Sequence, residues 1–315
     1  MKSGQGSREK LLVIGAGDIG RRVISVRSGP AVALTSAPAS RGALRRLGAR
    51  PVLANLDKPG SLRKLPRDWD ALLHCAPPPA HGRRDTRTRN ILRAIGQPDH
   101  QHSSLACGPW PSRGARTLVY LSTSGVYGDC GGARISESHS LHPYNTRAVR
   151  RVDAERRLAR AARRGAFRLI ILRVPGIYSE TRLPLARLQA GTPALVAEDD
   201  VYTNHIHAAD LARIALAALG RLRRRVRPQV RIYHASDDSE MRMGDYFDLV
   251  ADAFGLPRPP RLTRNQIRQV VTPALLSFMR ESRRLDNTRL KRELPIRWLA
   301  RNVEAGVALA ARQAR

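Results

Sequence analysis

The stretch LLVIGAGDIG, residues 11–20, decides the fold. Its apolar start is typical of a buried strand, which leads directly into the pattern G-x-G-x-x-G formed by Gly15, Gly17 and Gly20, and the next residues, RRVIS, predict a helix. The first glycine allows a tight turn, the second lets the backbone approach a pyrophosphate, and the third lets helix and strand pack closely. The helix N-terminus favours an anion. The stretch therefore predicts a dinucleotide-binding unit, with an ordinary glycine-rich loop as the weaker alternative.

The end of the second predicted strand, in AVALTSAPAS at 31–40, indicates which dinucleotide is bound. An acidic side chain at this point would hold the ribose 2'-hydroxyl of NAD, but none is present. Thr35 and Ser36 stand there, and Arg41 follows. Hydroxyl groups and a guanidinium suit a 2'-phosphate, so the sequence favours NADP over NAD, although Arg41 can equally be a surface arginine.

Further strand-like runs alternate with helical segments along the chain. They are RPVLANL at 50–56, DALLHCAP at 70–77, RTLVYLST at 116–123, FRLIILRVPG at 167–176 and QVRIYHAS at 229–236. This alternation predicts an α/β fold, a doubly wound parallel sheet of the Rossmann type.

Composition limits the class of protein and its partners. The formal net charge is +30, but the arginines are scattered over all 315 residues, which indicates a compositional bias more than a binding face. A basic nucleic-acid-binding protein remains a minor alternative, since no helix-turn-helix, zinc-finger or aromatic RNA-binding pattern accompanies the charge. No segment approaches the roughly 18 apolar residues of a membrane span. Three cysteines without close pairing favour a reducing, cytoplasmic location.

Metal binding is not predicted. His100, His102 and Cys107 are possible soft-metal ligands, but they lie in a Pro-, Gly- and Ser-rich segment, 97–115, whose loop composition explains them equally well.

Five motifs follow the glycine loop in order: APPP at 76–79, YLSTSGVYG at 120–128, LRVPGIY at 172–178, NHIHAADLA at 204–212 and ESRRLDN at 281–287. With the glycine loop, they resemble the extended short-chain dehydrogenase/reductase superfamily over nearly the whole chain. More narrowly, the chain is similar to the atypical bacterial branch of NAD-dependent epimerase/dehydratase, or nucleoside-diphosphate-sugar epimerase-like, proteins.

The resemblance implies the domains and the cofactor contacts. A dinucleotide-binding domain would span 1–176 with a return segment near 206–232, and a smaller, interleaved C-terminal substrate lobe would span 177–315. It implies that residues from the glycine loop, from the ends of the second, third and fourth strands and from LRVPGIY contact the cofactor. These are Gly15, Gly17, Ile19, Gly20, Thr35, Ser36, Asn55, Leu56, Ala76, Pro77, Pro175 and Ile177. Asp18 of the glycine loop and Arg41 after the second strand complete the predicted set of cofactor-binding residues.

The resemblance also implies a catalytic hydroxyl at Thr123, but the proton donor departs from the family pattern. Relatives have a tyrosine and, four residues later on the same helix face, a lysine, often followed by a glutamate. Counting back from Glu155 places Arg151 at the lysine position and Arg147 at the tyrosine position. An arginine stays protonated near neutrality and cannot donate a proton to substrate. Tyr144 and Tyr127 are the alternative donors, each with a structural role as the simpler explanation.

Two hypotheses follow for function. The chain is either an oxidoreductase acting on a carbonyl or hydroxyl group, with a nucleotide-sugar-like substrate, or a non-catalytic NADP-binding sensor or regulatory protein that has lost the dyad. A small-molecule partner and a homodimer are the expected associations.

Overall fold

The structure is a computed structural model that describes residues 9–95, 116–221 and 229–314. The strands are β1 (Leu11–Ile14), β2 (Ala31–Thr35), β3 (Ala49–Leu53), β4 (Ala71–His74), β5 (Thr117–Thr123), β6 (Arg134–Ile135), β7 (Arg168–Val174), β8 (Gly176–Tyr178), β9 (Ala194–Leu195), β10 (Tyr202–Thr203), β11 (His205–His207), β12 (Val230–His234), β13 (Met241–Arg242), β14 (Arg261–Leu262) and β15 (Arg284–Leu285). The helices are α1 (Asp18–Val26), α2 (Ser40–Arg46), α3 (Thr86–Ile95), α4 (Thr146–Arg163), α5 (Leu185–Gln189), α6 (Ala208–Arg221), α7 (Met243–Ala253), α8 (Arg264–Val270), α9 (Pro273–Phe278), α10 (Thr288–Glu293) and α11 (Val303–Ala314).

Seven strands form one parallel sheet in the order β12-β7-β5-β4-β1-β2-β3. The order reverses at β1: β2 pairs with one edge of β1 and β4 with the other, and both pairings are parallel. In a doubly wound fold this reversal opens a crevice at the carboxyl ends of the two strands, where ligands bind. The sequence prediction of an α/β doubly wound fold is confirmed.

The chain divides into two compact units. Unit 1 comprises Met1–Ser122, Val149–Leu172 and Ala212–Ile232, and unit 2 comprises Thr123–Ala148, Arg173–Leu211 and Tyr233–Arg315, in each case for the described residues within these ranges. The predicted domains have other boundaries and remain a prediction.

Unit 1 is built around apolar strands that are covered on both sides. All four residues of β1 are buried, as are the four of β4, as expected for strands of a parallel sheet with helices on both faces. The apolar cluster of this unit includes Leu12 and Ile14 of β1, Leu72 of β4 and Leu158 of α4. The buried face of α4 thus packs in the same core as the strands.

Unit 2 has its own apolar core, formed mainly by helices. Tyr178 of β8 packs with Phe247 and Val250 of α7 and with Val307 of α11. Its strands pair in short two-stranded sheets: β10 with β13, β11 with β8, β14 with β9 and β15 with β6. The last of these pairs brings ESRRLDN beside the chain that follows YLSTSGVYG, since Leu285 is the register partner of Ile135.

Among the helices of the described ranges, none combines the length and apolar character needed to cross a bilayer. The possible metal ligands His100, His102 and Cys107 lie outside the described residues. In the part of the chain that is described, no group of three histidine, cysteine or acidic side chains is arranged to hold a metal ion.

Candidate active site

The glycine loop between β1 and α1 is packed tightly against the segment that follows β4. Gly15 has a φ of 87°, in the left-handed region that favours glycine. A Cβ at Gly15 would lie 2.6 Å from the backbone nitrogen of Ala76. A Cβ at Gly20 would lie 2.9 Å from the carbonyl oxygen of Gly15 and 3.1 Å from Cγ1 of Val13. The first and third glycines of the motif are therefore required by the packing of this loop.

Gly17 differs, because the space beside it is open. Apart from its chain neighbours, no described atom lies within 4 Å of the point where its Cβ would sit. Gly17 directly precedes α1, whose first N–H groups have no acceptors within the helix. Asp18, the first residue of α1, forms an ion pair with Arg22 at 2.8 Å, and Ile19 is buried. Open space beside a helix N-terminus, on a loop whose first and third glycines are required by packing, fits the pyrophosphate of a dinucleotide.

The end of β2 presents hydroxyl and guanidinium groups. The Thr35 hydroxyl accepts a hydrogen bond from the Ala37 N–H at 3.2 Å and is buried, whereas Ser36 and Arg41 are exposed. Arg21 of α1, which was not identified as a site residue from the sequence, also reaches this region. Its Nη2 donates to the Ser40 hydroxyl at 2.9 Å, so its side chain extends from α1 to the start of α2.

The remaining cofactor candidates of unit 1 lie after β3 and β4. Asn55 accepts at Oδ1 from the Asp57 N–H at 2.8 Å and shapes the turn after β3. Leu56 is buried, and its carbonyl oxygen accepts from Asn90 Nδ2 at 2.9 Å. Pro77 is exposed beyond β4.

Arg151, at the expected lysine position, is bound to β5 in unit 1. Its Nη1 donates to the Tyr120 hydroxyl at 3.0 Å and to the Leu121 carbonyl oxygen at 2.8 Å. Glu155, one turn further along α4, accepts a hydrogen bond from the Ser122 hydroxyl. Burial raises the pKa of Tyr120 to about 12, so this phenol keeps its proton near neutrality.

A pocket of about 180 Å³ lies in unit 2, directly after β5. Its lining includes Thr123, Arg147, Pro175 and Phe278. The Thr123 hydroxyl accepts from the Gly125 N–H at 3.2 Å, which fixes its position at the strand end. The Arg147 guanidinium lies 4.7 Å from the centre of the Phe278 ring, a cation–π distance. The structure thus brings three of the residues singled out from the sequence, Thr123, Arg147 and Pro175, into one pocket. Ile177 lies next to this pocket in β8.

The two candidate tyrosines are placed elsewhere. Tyr144 is 68% exposed, and its hydroxyl accepts a hydrogen bond from Arg280 at 3.3 Å. Tyr127 is fully buried. Neither belongs to the described lining of the pocket.

Tyr127 is part of a buried hydrogen-bond chain. Arg173 Nη1 donates to its hydroxyl at 2.7 Å, and His234 Nε2 is the other partner. His234 Nδ1 lies 2.9 Å from the Asp286 carbonyl oxygen, to which it can only donate. Because burial lowers the pKa of His234 to about 4, the neutral ring accepts at Nε2, and Tyr127 donates to it. The phenol proton is therefore directed into the protein interior.

Among the polar residues of the pocket that were not identified as site residues from the sequence, three have side chains that hydrogen-bond to one another: Asn145, Glu281 and Arg283. Glu281 accepts from Asn145 Nδ2 at 3.3 Å and from Arg283 Nη1 at 3.0 Å. The only sequence signal for the latter two was ESRRLDN, which was noted as a family element without a chemical role. Glu281 and Arg283 lie far from Thr123 along the chain, and no motif indicated that they share a pocket with it.

A glycine loop of this geometry at the reversal point of a parallel sheet defines an NAD-binding α/β protein of the Rossmann type. Residues 11–233 match the model of the NAD dependent epimerase/dehydratase family, and the chain belongs to that family. No curated protein sequence matches the chain significantly.

Solved structures resemble the chain over almost its full length. A conserved protein of unknown function from Silicibacter pomeroyi DSS is 26% identical, with a TM-score of 0.76 and coverage of 98% of this chain and 99% of the other. UDP-glucose 4-epimerase from Thermotoga maritima with UDP-glucose is 15% identical, with a TM-score of 0.72 and coverage of 97% and 98%. UDP-glucuronic acid 4-epimerase from Bacillus cereus in complex with NAD is 16% identical, with a TM-score of 0.68 and coverage of 96% of each chain. The last two likenesses establish the fold alone.

Proposed function

We propose that this chain is an NADP-dependent oxidoreductase of the epimerase/dehydratase type, acting at a carbon that bears a hydroxyl or carbonyl oxygen. The observation that carries the proposal is the glycine loop, in which Gly15 and Gly20 are closely packed while the space beside Gly17 is open. A loop with this combination fits a pyrophosphate. Bound there, the dinucleotide would supply hydride transfer to or from the substrate carbon.

The preference for NADP rests on the groups at the end of β2. Ser36 and Arg41 are exposed there, and Arg21 reaches the same segment through Ser40. Residues 35–41, TSAPASR, contain no carboxylate that could accept hydrogen bonds from a ribose 2'-hydroxyl. Two guanidinium groups suit the charge of a 2'-phosphate.

In unit 2, Thr123 would hold the reacting oxygen of the substrate through its hydroxyl group. Arg147, which stays protonated, would stabilise negative charge that develops on that oxygen but would not transfer a proton. In unit 1, Arg151 would hold the carboxyl end of β5 in place. Its other N–H groups would remain to donate to a ribose hydroxyl.

The proposed substrate class is a nucleotide sugar or a related small polar molecule. A similar fold is that of the UDP-glucose 4-epimerase whose structure contains UDP-glucose. The pocket of about 180 Å³ is smaller than the roughly 300–1,000 Å³ of full ligand clefts, so it suits a group of the size of a sugar ring. A homodimer remains a prediction, as does the absence of a nucleic-acid partner.

A non-catalytic NADP-binding protein is the second candidate, and one observation favours it. Two arginines occupy the tyrosine and lysine positions, and neither candidate tyrosine lies in the described lining of the pocket. A sensor of this kind would bind the dinucleotide without turnover.

The oxidoreductase and the non-catalytic sensor differ in whether the protein converts a substrate. Purified protein would be titrated with NADPH and NADH, then assayed with UDP-glucose, UDP-galactose, UDP-glucuronic acid and simple aldehydes and ketones. We expect tighter binding of NADPH and turnover of at least one compound, reduced by a Thr123→Ala change. Binding of NADPH without turnover across this panel would favour the sensor, and no binding of either dinucleotide would refute both.

The proposed preference for NADPH over NADH can be tested with single arginine variants and a matched control variant on α2. We expect Arg41→Ala and Arg21→Ala each to weaken NADPH binding by about tenfold while leaving NADH binding within about twofold, since about 1.4 kcal/mol corresponds to a factor of ten. Arg45→Ala, an exposed arginine on the same helix, controls for net charge and should change neither affinity. Equal losses for NADPH and NADH would contradict the role in binding a 2'-phosphate.

A further inference from the structure

Within unit 2, the segment ESRRLDN is held by hydrogen bonds to residues 128–129 and to Tyr202 of β10. Arg283 Nη1 donates to the Gly128 carbonyl oxygen at 2.6 Å, and the Ser282 N–H donates to Asp129 Oδ1 at 2.8 Å. The Ser282 hydroxyl accepts from the Tyr202 N–H at 3.0 Å. These contacts, together with the β15–β6 pairing, fix the backbone on which Glu281 stands.

Glu281 and Thr123 face the same small space. A Cβ built on Gly125 would lie 3.6 Å from the Thr123 hydroxyl oxygen and 3.8 Å from Glu281 Oε2. Because position 125 is a glycine, no side chain at that position separates the Thr123 hydroxyl and the Glu281 carboxylate from the pocket that both residues line. The hydroxyl that holds the reacting oxygen therefore has a carboxylate beside it.

The hydrogen bonds of Glu281 leave acceptor capacity on both of its carboxylate oxygen atoms. Asn145 precedes α4, and its Oδ1 accepts from the Ala148 N–H at 2.9 Å, so its Nδ2 must donate to Glu281 Oε1. Arg283 donates to Oε2. Each carboxylate oxygen thus accepts one of these described hydrogen bonds, and each can accept a second one.

Other groups of the pocket are poorer proton carriers. Among the described lining residues Glu281 is the only carboxylate, and none is a histidine, a cysteine or a lysine. Arg147 and Arg283 stay protonated. Tyr202 is the remaining acid and the competing candidate, and the Arg284 guanidinium lies 4.9 Å from its ring centre.

We propose that Glu281 is the catalytic residue that exchanges the proton with the substrate oxygen, in place of the missing tyrosine. This role rests on the proposed oxidoreductase function. In the direction of oxidation, the substrate O–H bond breaks and its proton goes to the Glu281 carboxylate. The C=O bond forms as the hydride leaves the same carbon for the oxidised dinucleotide. In the direction of reduction, the protonated carboxyl group returns the proton to the oxygen as hydride reaches the carbon.

The test compares Glu281→Gln, Glu281→Asp and Tyr202→Phe in the full chain, on whichever compound of the panel the wild type converts fastest. Glutamine keeps the shape and the acceptor oxygen but does not take up the proton. Because general acid–base catalysis contributes roughly 10²–10⁴-fold, we expect kcat to fall by at least about 100-fold in Glu281→Gln, with KM changed by less than about threefold. Glu281→Asp should restore part of the rate, and Tyr202→Phe should keep most of it.

Binding of NADPH, measured by fluorescence titration, should be equal in the wild type and in all three variants, which shows that the protein is folded. Wild-type kcat in Glu281→Gln would overturn the role of Glu281 alone. An inactive wild type that binds NADPH would overturn the proposed function, and the role of Glu281 with it. Loss of activity in Tyr202→Phe but not in Glu281→Gln would assign the proton to Tyr202.

A steric variant tests the shared space independently of charge. In Gly125→Ala the new methyl group meets both oxygen atoms at ordinary van der Waals distances, so the fold should tolerate it. We expect wild-type NADPH affinity and at least a tenfold rise in KM for the substrate. Unchanged KM would show that no substrate atom occupies this space, and would overturn the proposal.

Discussion

Two single substitutions in the glycine loop can distinguish its role in folding from its proposed role in cofactor binding. In Gly15→Ala, the residue keeps a left-handed backbone that costs a non-glycine residue roughly 1–2 kcal/mol. Its methyl group would also lie 2.6 Å from the Ala76 backbone nitrogen, so loop or strand must move. We expect the free energy of unfolding to fall by more than about 2 kcal/mol.

In Gly17→Ala, the expected result is the opposite. The backbone has a φ of −77°, which alanine adopts, and the methyl group enters open space. Because alanine is a poorer residue than glycine directly before a helix, we expect a loss of stability of about 1 kcal/mol or less. The same methyl group occupies the space proposed for the pyrophosphate, so the Kd for NADPH should rise at least tenfold, or about 1.4 kcal/mol.

The assays are urea unfolding for stability and fluorescence titration for NADPH affinity, on both variants and the wild type. Wild-type NADPH affinity in Gly17→Ala would refute the assignment of this loop as the pyrophosphate site. Wild-type stability in Gly15→Ala would refute the packing argument, because neither the backbone conformation nor the contact with Ala76 could then be as described.

Three other predictions concern buried and exposed polar groups. Burial raises the pKa of Asp237 to about 8, so the folded chain holds a proton that the unfolded chain releases above about pH 4. The free energy of unfolding should therefore fall as the pH rises from about 4 to about 8. Asp237→Asn should remove this component, so the stability difference between the variant and the wild type should grow over that pH range. A constant difference would show that the pKa of the Asp237 carboxyl group is not raised. Tyr127→Phe leaves the buried Arg173 without its hydroxyl partner and should cost about 1–3 kcal/mol in urea unfolding, whereas an unchanged midpoint would contradict the hydrogen-bond chain. Tyr144→Phe should leave both stability and turnover unchanged, because its hydroxyl group is exposed, and a loss of turnover would restore it as a proton donor.

The fold was predictable because its signals are local. The strand, turn and helix of LLVIGAGDIG lie within one short stretch, and the later strands are short apolar runs separated by helical segments. The family resemblance gave the order of these elements. The close approach of Gly15 to Ala76 is a consequence of strand order, because β1 and β4 are neighbours in the sheet.

The pocket was only partly predictable, because its polar groups come from distant parts of the chain. Thr123 was identified from its place in YLSTSGVYG, and Arg147 from its distance to Glu155 along one helix. Glu281 enters through the pairing of β15 with β6, a contact between segments about 150 residues apart that no local pattern encodes. Motif spacing could show that a tyrosine was missing, but not which group stands in its place.

Asn145 connects the start of α4 to Glu281 through one amide group. Its oxygen accepts from the first turn of the helix and its nitrogen donates to Glu281 Oε1, whereas Arg283 holds Oε2. Unwinding of that turn would therefore free the Asn145 side chain and weaken one of the two described hydrogen bonds of the carboxylate. An aspartate at this position would still cap the helix, but would remove the donor to Glu281 and place a second negative charge beside it. A change of one atom, nitrogen to oxygen, would thus alter the charge of the pocket while leaving the helix cap in place.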